Sequence, residues 1–194
     1  KIREAARIRD ALPPAGSAEP DACTWTPESQ AAIAAKAEEI VAAREMVDAD
    51  LQSLRDLLVF GLKGMGAYYH HASVLGYRDE EITTFLQEGL AATLHDHTAD
   101  EMVTLVLKCG EIGVKTLALL DRANTAAFGT PEITTVSTGA GTRPGILVTG
   151  HDLKDLADLL AQTAGTGVDV YTHGEMLPAH AYPELKKYDH LVGN

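Results

Sequence analysis

Apolar residues recur at helical spacing through most of the first 130 positions, and the breaks between the runs mark the elements. Lys1 to Leu12 reads as the end of a helix, stopped by Pro13-Pro14-Ala15-Gly16-Ser17. Thr26-Pro27-Glu28 is a helix start, a hydroxyl cap followed by proline at the first helical position, and Ala31 to Asp48 is rich in the strong helix formers Ala, Glu and Lys. Asp50 to Gly76 predicts a second, long helix with Leu51, Leu54, Leu57, Leu58, Leu62, Met65 and Tyr69 on one broad face. Asp79 to Ala92 predicts a third. A fourth runs from Asp100 to Asn124, behind the cap and acidic first turn of Thr98-Ala99-Asp100-Glu101. Phe128-Gly129-Thr130-Pro131 ends the helical part.

The period then changes. Gly145 to Thr149 is a short apolar run, Asp152 to Thr163 carries Leu153, Leu156, Leu159 and Leu160 at helical spacing, and Val168 to Tyr171 alternates after the Gly165-Thr166-Gly167 break. This predicts strand, helix, strand, with the two strands parallel and the crossover right-handed. The expected fold is α plus α/β. A helical bundle would occupy residues 1–131, a linker or crossing strand 132–143, and an incomplete α/β domain 144–194 as the start of a Rossmann-like parallel sheet. So few strands leave exposed edges and apolar surface.

Charge narrows the partners. A formal net charge of −12 and a pI near 5.0 argue against nucleic acid and against anionic membrane surfaces. No apolar run approaches the roughly 20 residues that span a bilayer. The two cysteines, Cys23 and Cys109, form no disulfide framework and no paired metal spacing, which fits a reducing cytoplasm.

Candidate chemistry gathers near the C-terminus. Gly150-His151-Asp152 follows the first strand and His173-Gly174-Glu175 the second, and ligands of open α/β sheets bind outside those carboxyl ends. His151 and Glu175 lie 24 residues apart, about one helix and two turns, so they can face one crevice. An imidazole nitrogen and a carboxylate oxygen suit iron or zinc, but two donors do not make a site, and polar loop residues remain the plain alternative. Asp152 and His173 read as direct ligands or as partners that orient one, and Asp152 equally as a helix cap.

Elsewhere the plain readings prevail. His70 and His71 point about 100° apart on a helix and cannot chelate together. His95-Asp96-His97 reads as a polar interhelical loop, Cys109 as a buried inert thiol, and Trp25 as an anchor packed on the helices. Gly61, Gly64 and Gly66 inside a helix point to the close approach of another backbone.

Three runs carry a family resemblance: LLVFGLKGMGAYYHHASVLG, GILVTGHDLKDL and QTAGTGVDVYTHGEMLPAHAYPELKKYDHLVGN. From about Leu57 onward they resemble the hybrid-cluster proteins, also called prismane proteins or hydroxylamine reductases. The resemblance implies an oxidoreductase that reduces hydroxylamine to ammonia, with nitric oxide as another substrate, fed by a redox electron-donor protein. It implies that His151 of GHDLKDL and Glu175 of THGEMLPAH ligate an iron–sulfur–oxygen hybrid cluster. Because carboxylates change denticity, Glu175 is also the catalytic candidate, a ligand able to open a position for substrate. His173 and His180 become candidate proton donors. The family's other cluster ligands are mainly cysteines from later in its chain, and a conventional iron–sulfur cluster is held by a cysteine motif near its N-terminus. Neither set is present here. The expectation is therefore an internal piece of a larger enzyme, inactive alone and completed by the rest of the parent chain. Two alternatives stand beside it: a relative of the nickel-containing carbon monoxide dehydrogenases, and a cofactor-free helical interaction module.

Overall fold

The computed structural model describes residues 24–45 and 48–194. The chain divides into two compact units at Asp48 and Ala49. In the first unit, α1 spans Gln30–Glu45. It starts later than Thr26-Pro27 predicts, because Ser29 takes the capping role, its Oγ accepting from the Ala32 amide at 3.1 Å. Trp25, expected as a packed anchor, is 39% exposed. The readings placed on Lys1 to Leu12 and on Cys23 lie outside the described residues.

The second unit opens with three helices, α2 (Ala49–Val74), α3 (Glu80–Ala92) and α4 (Ala99–Phe128). Short connections force an up, down, up path. At one end Arg55 donates to the His95 carbonyl, and at the other Lys115 pairs with Asp79 and Glu81. Between these ends Leu58, Leu62 and Met65 of α2, Ile82 and Phe85 of α3, and Met102, Ile112 and Leu119 of α4 form one buried core. Gly61 is required by that packing, since a Cβ there would stand 2.7 Å from the Cys109 sulfur on α4. The same explanation does not extend to Gly64 and Gly66, where a Cβ would meet nothing within 4 Å.

Caps set the helix starts. The Asp79 side chain accepts from the Glu81 amide, and Thr98 and Glu101 form a reciprocal capping box. α4 runs past Asn124 to Phe128, whose ring is buried in a second core with Leu156, Leu160, Val170, Met176 and Leu185. One helix thus enters both cores.

From 129 to 144 the chain has no regular element, yet it is pinned. Glu132 donates to the Ala181 carbonyl, and Ser137 accepts from Asn194. Then follow β1 (Gly145–Thr149), α5 (Leu153–Thr163), β2 (Asp169–His173), a 3-10 helix (Gly174–Ala181), the short α6 (Pro183–Lys186) and β3 (Leu191–Gly193). The sheet has the order β1-β2-β3 and both pairings are parallel, as expected for the first two strands. β2 is the central strand, and the buried Asp169 at its start is ion-paired with Arg143. β1 is an edge with alternate residues exposed, Leu147 at 68%. Among the described residues no helix is long and apolar enough to cross a membrane.

Candidate metal-ligand site at the carboxyl ends of β1 and β2

The last rung shared by β1 and β2 pairs Thr149 with His173. Each strand then ends the same way. Gly150 (φ 125°) follows Thr149 and Gly174 (φ 57°) follows His173, so both chains turn through a backbone region that side chains disfavour. The next residues are His151 and Glu175. The pair proposed from sequence therefore stands at matching points, two residues beyond one rung of the ladder.

Both side chains are exposed, and among the described residues neither makes a hydrogen bond or an ion pair. Their lone pairs are uncommitted. Asp152 is not free in that way. Its Oδ1 accepts from the Lys154 amide at 2.8 Å and the Asp155 amide at 3.4 Å, so it caps α5. Its Oδ2 lies 4.0 Å from Nε2 of His71 on α2. His71 Nδ1 is buried and has no hydrogen-bond partner among the described residues.

Tyr68, one turn before His71, meets two imidazoles. Its ring meets His71 at 6.1 Å and 77° and His151 at 6.1 Å and 65°, both edge-on. Such aromatic pairs contribute about 0.5–1.5 kcal/mol beyond their buried area. These residues, with Gly64, Val148 and Met176, line a cavity of about 620 Å³. Gly64 and Tyr68 also line an apolar groove of about 410 Å³ between α2 and α4.

The other histidines part company with this place. His173 is exposed at the end of β2 and caps nothing. His180 is buried, its Nε2 2.8 Å from the Thr172 hydroxyl, and burial pushes its pKa below the ordinary value. It lines a separate cavity with Leu177, Pro178 and Asn194. In the His95-Asp96-His97 loop, His97 Nε2 lies 3.0 Å from the Ala92 carbonyl, as a helix connection requires. Cys109 is buried and unpaired, and desolvation pushes its thiol up, so it is the inert cysteine expected.

Two uncommitted donors of the kinds that suit iron stand at adjacent strand ends, His151 in the lining of the 620 Å³ cavity and Glu175 outside it. Among the described residues no group of three or more His, Cys, Asp or Glu could hold a metal ion, so His151 and Glu175 do not close a site by themselves. Sequence reasoning missed Tyr68 and the contact of His71 with Asp152. Both depend on packing α2 against the strand ends, which local spacing does not encode.

The whole chain, residues 1–194, matches the Prismane/CO dehydrogenase family. It belongs to that family, on its prismane or hybrid-cluster side. Among its relatives is a hydroxylamine reductase of Chlorobaculum tepidum, 52% identical over all of this chain and 36% of the relative. Hydroxylamine reductases of Nitratidesulfovibrio vulgaris and Halothermothrix orenii are each 58% identical over 90% of this chain, and over 31% and 32% of their own lengths. The chain spans about a third of the length of these curated relatives.

Proposed function

We propose that this chain is part of an oxidoreductase that reduces hydroxylamine to ammonia, and that His151 and Glu175 hold one side of its iron–sulfur–oxygen cluster. The observation that carries the reading is the 52–58% identity to hydroxylamine reductases across the segment where two uncommitted donors stand at matching strand ends. The reaction breaks the N–O bond and consumes two electrons and two protons, giving ammonia and water. When bound, the cluster supplies those electrons and a Lewis-acidic position for the nitrogen or oxygen. His151 would contribute an imidazole nitrogen. Glu175, exposed at the start of a short 3-10 helix, would contribute a carboxylate able to change denticity and so leave a position for substrate. His173, exposed one glycine before Glu175, is the better placed proton donor, since His180 is buried against Thr172.

The remaining ligands, a conventional iron–sulfur cluster and the docking surface for an electron-donor protein fall to the rest of a chain of the relatives' length. There β1-β2-β3 would continue into a Rossmann-like sheet, and the protein would work in the cytoplasm. Nitric oxide is a second substrate for the same site. The 194-residue chain alone should not turn over.

The test is iron, acid-labile sulfide and nickel content of the natural-length protein, purified without oxygen, together with hydroxylamine-dependent oxidation of a reduced dye. Iron beyond one four-iron cluster, no nickel, and loss of cluster iron and at least a tenfold fall in turnover in Glu175→Ala are the expected results. Unchanged iron and turnover in that variant would remove Glu175 from the site, and stoichiometric nickel would favour the carbon monoxide dehydrogenase chemistry instead.

A further inference from the structure

We infer that Tyr68 is a positioning residue for His151, setting the direction of its imidazole by ring contact; this rests on the reading of His151 as a cluster ligand. A ligating imidazole must have its ring plane fixed, and the usual device is a hydrogen bond from the second ring nitrogen to a carboxylate or carbonyl. His151 has no such bond among the described residues, and the neighbouring Asp152 carboxylate is taken up in capping α5. What the ring meets is the Tyr68 ring in a T-shaped pair, centroids 6.1 Å apart.

Tyr68 is suited to fix a direction because its helix is anchored. Met65 and Ala72, one turn before and after, are 4% and 0% exposed in the helical core. His71, one turn on along α2, also packs against the Tyr68 ring, which limits the rotation of that ring. The phenol oxygen makes no hydrogen bond among the described residues, so the ring acts and the hydroxyl does not. The turn after β1 is thus held twice from α2, through Tyr68 on His151 and through His71 beside Asp152.

The experiment uses the natural-length protein with Tyr68→Phe, Tyr68→Leu, Tyr68→Ala and, in parallel, His151→Ala. Each is read by iron retained against a chelator, by the electron paramagnetic resonance spectrum of the cluster and by circular dichroism. Tyr68→Phe should match the parent. Tyr68→Leu, which keeps apolar volume while losing the ring, should alter the spectrum and lower chelator resistance about tenfold, with the helical signal intact. Tyr68→Ala should do the same, and Tyr68→Leu decides if the alanine variant fails to fold. A parent-like spectrum in Tyr68→Leu beside a changed one in His151→Ala would overturn the positioning role alone. A parent-like spectrum in His151→Ala would remove the ligand reading and the inference with it. Tyr68→Phe behaving like Tyr68→Leu would show that the hydroxyl acts, and would equally overturn the ring argument.

Discussion

His180 is the residue whose surroundings have the plainest energetic consequence. It is 6% exposed, its Nε2 lies beside the Thr172 hydroxyl, and that hydroxyl is also 2.8 Å from Asn194 Oδ1. Burial disfavours the imidazolium, so the folded pKa lies below that of an ordinary histidine. Below about pH 6.5 the unfolded chain takes up a proton that the folded state refuses, and stability falls with pH until the folded pKa is passed. Urea unfolding at pH 7.5 and 5.5 should show this loss, at most about 1.4 kcal/mol per pH unit from this one group. In His180→Gln the difference between the two pH values should shrink; an undiminished difference would assign the acid sensitivity to other groups. The same burial was not legible in the sequence, where a histidine beside proline and alanine carries no mark of its depth. The place of His151 and Glu175 at strand ends was legible because each follows a predicted strand. Tyr68 was not, since its contact with a residue 83 positions later leaves no periodic trace.

At the scale of elements, local chemistry told most of the story where caps and periods agree. Thr98 with Glu101 and Asp152 with its two amides start α4 and α5 as their side chains predict. α1 is the counterexample, for Ser29 is an equally good cap and wins over Thr26. The 3-10 helix and β3 were not foreseen. Gly174 to Ala181 contains Pro178 and has no helical stripe, and three residues of β3 are too few to show a period. Tertiary contact makes β3, through β2 on one side and residue 137 on the other. Gly193 is where that contact is tightest, since a Cβ there would stand 2.5 Å from the Ser137 backbone oxygen. Neither backbone can yield cheaply. Gly193→Ala should cost about 1–3 kcal/mol, the range for overpacking, seen as a lower melting temperature and faster exchange of the Asn194 amide. An unchanged melting temperature would mean that the segment at Ser137 is free to move away.

At the scale of the molecule, residues 49–194 hold two cores that share α4, and they leave apolar surface on both. Phe128 ends the helix inside the α/β core, and Leu75 packs against each cluster, so the helical and α/β parts of this unit fold on one another. The surfaces left over are specific. Leu57, Phe60 and Leu117 line the groove between α2 and α4 at 55%, 65% and 50% exposure, and β1 presents Leu147 on an edge that pairs with no further strand among the described residues. A groove with almost no polar lining and a free parallel edge are the two features that soluble monomers keep covered or charged. The net charge of −12 opposes association but acts over about 10 Å at 0.1 M salt, so added salt weakens that opposition while leaving apolar contact intact. The 194-residue chain should therefore sediment as a concentration-dependent oligomer, more so at 0.5 M than at 0.05 M salt, at concentrations on the order of 100 μM. Phe60→Ser and Leu147→Thr should each reduce the association and together reduce it further, because the groove is built by α2 and α4 and the edge by β1. A monomer at both salt concentrations would show that these patches are too small to drive contact, and that charge governs the behaviour of the chain in solution.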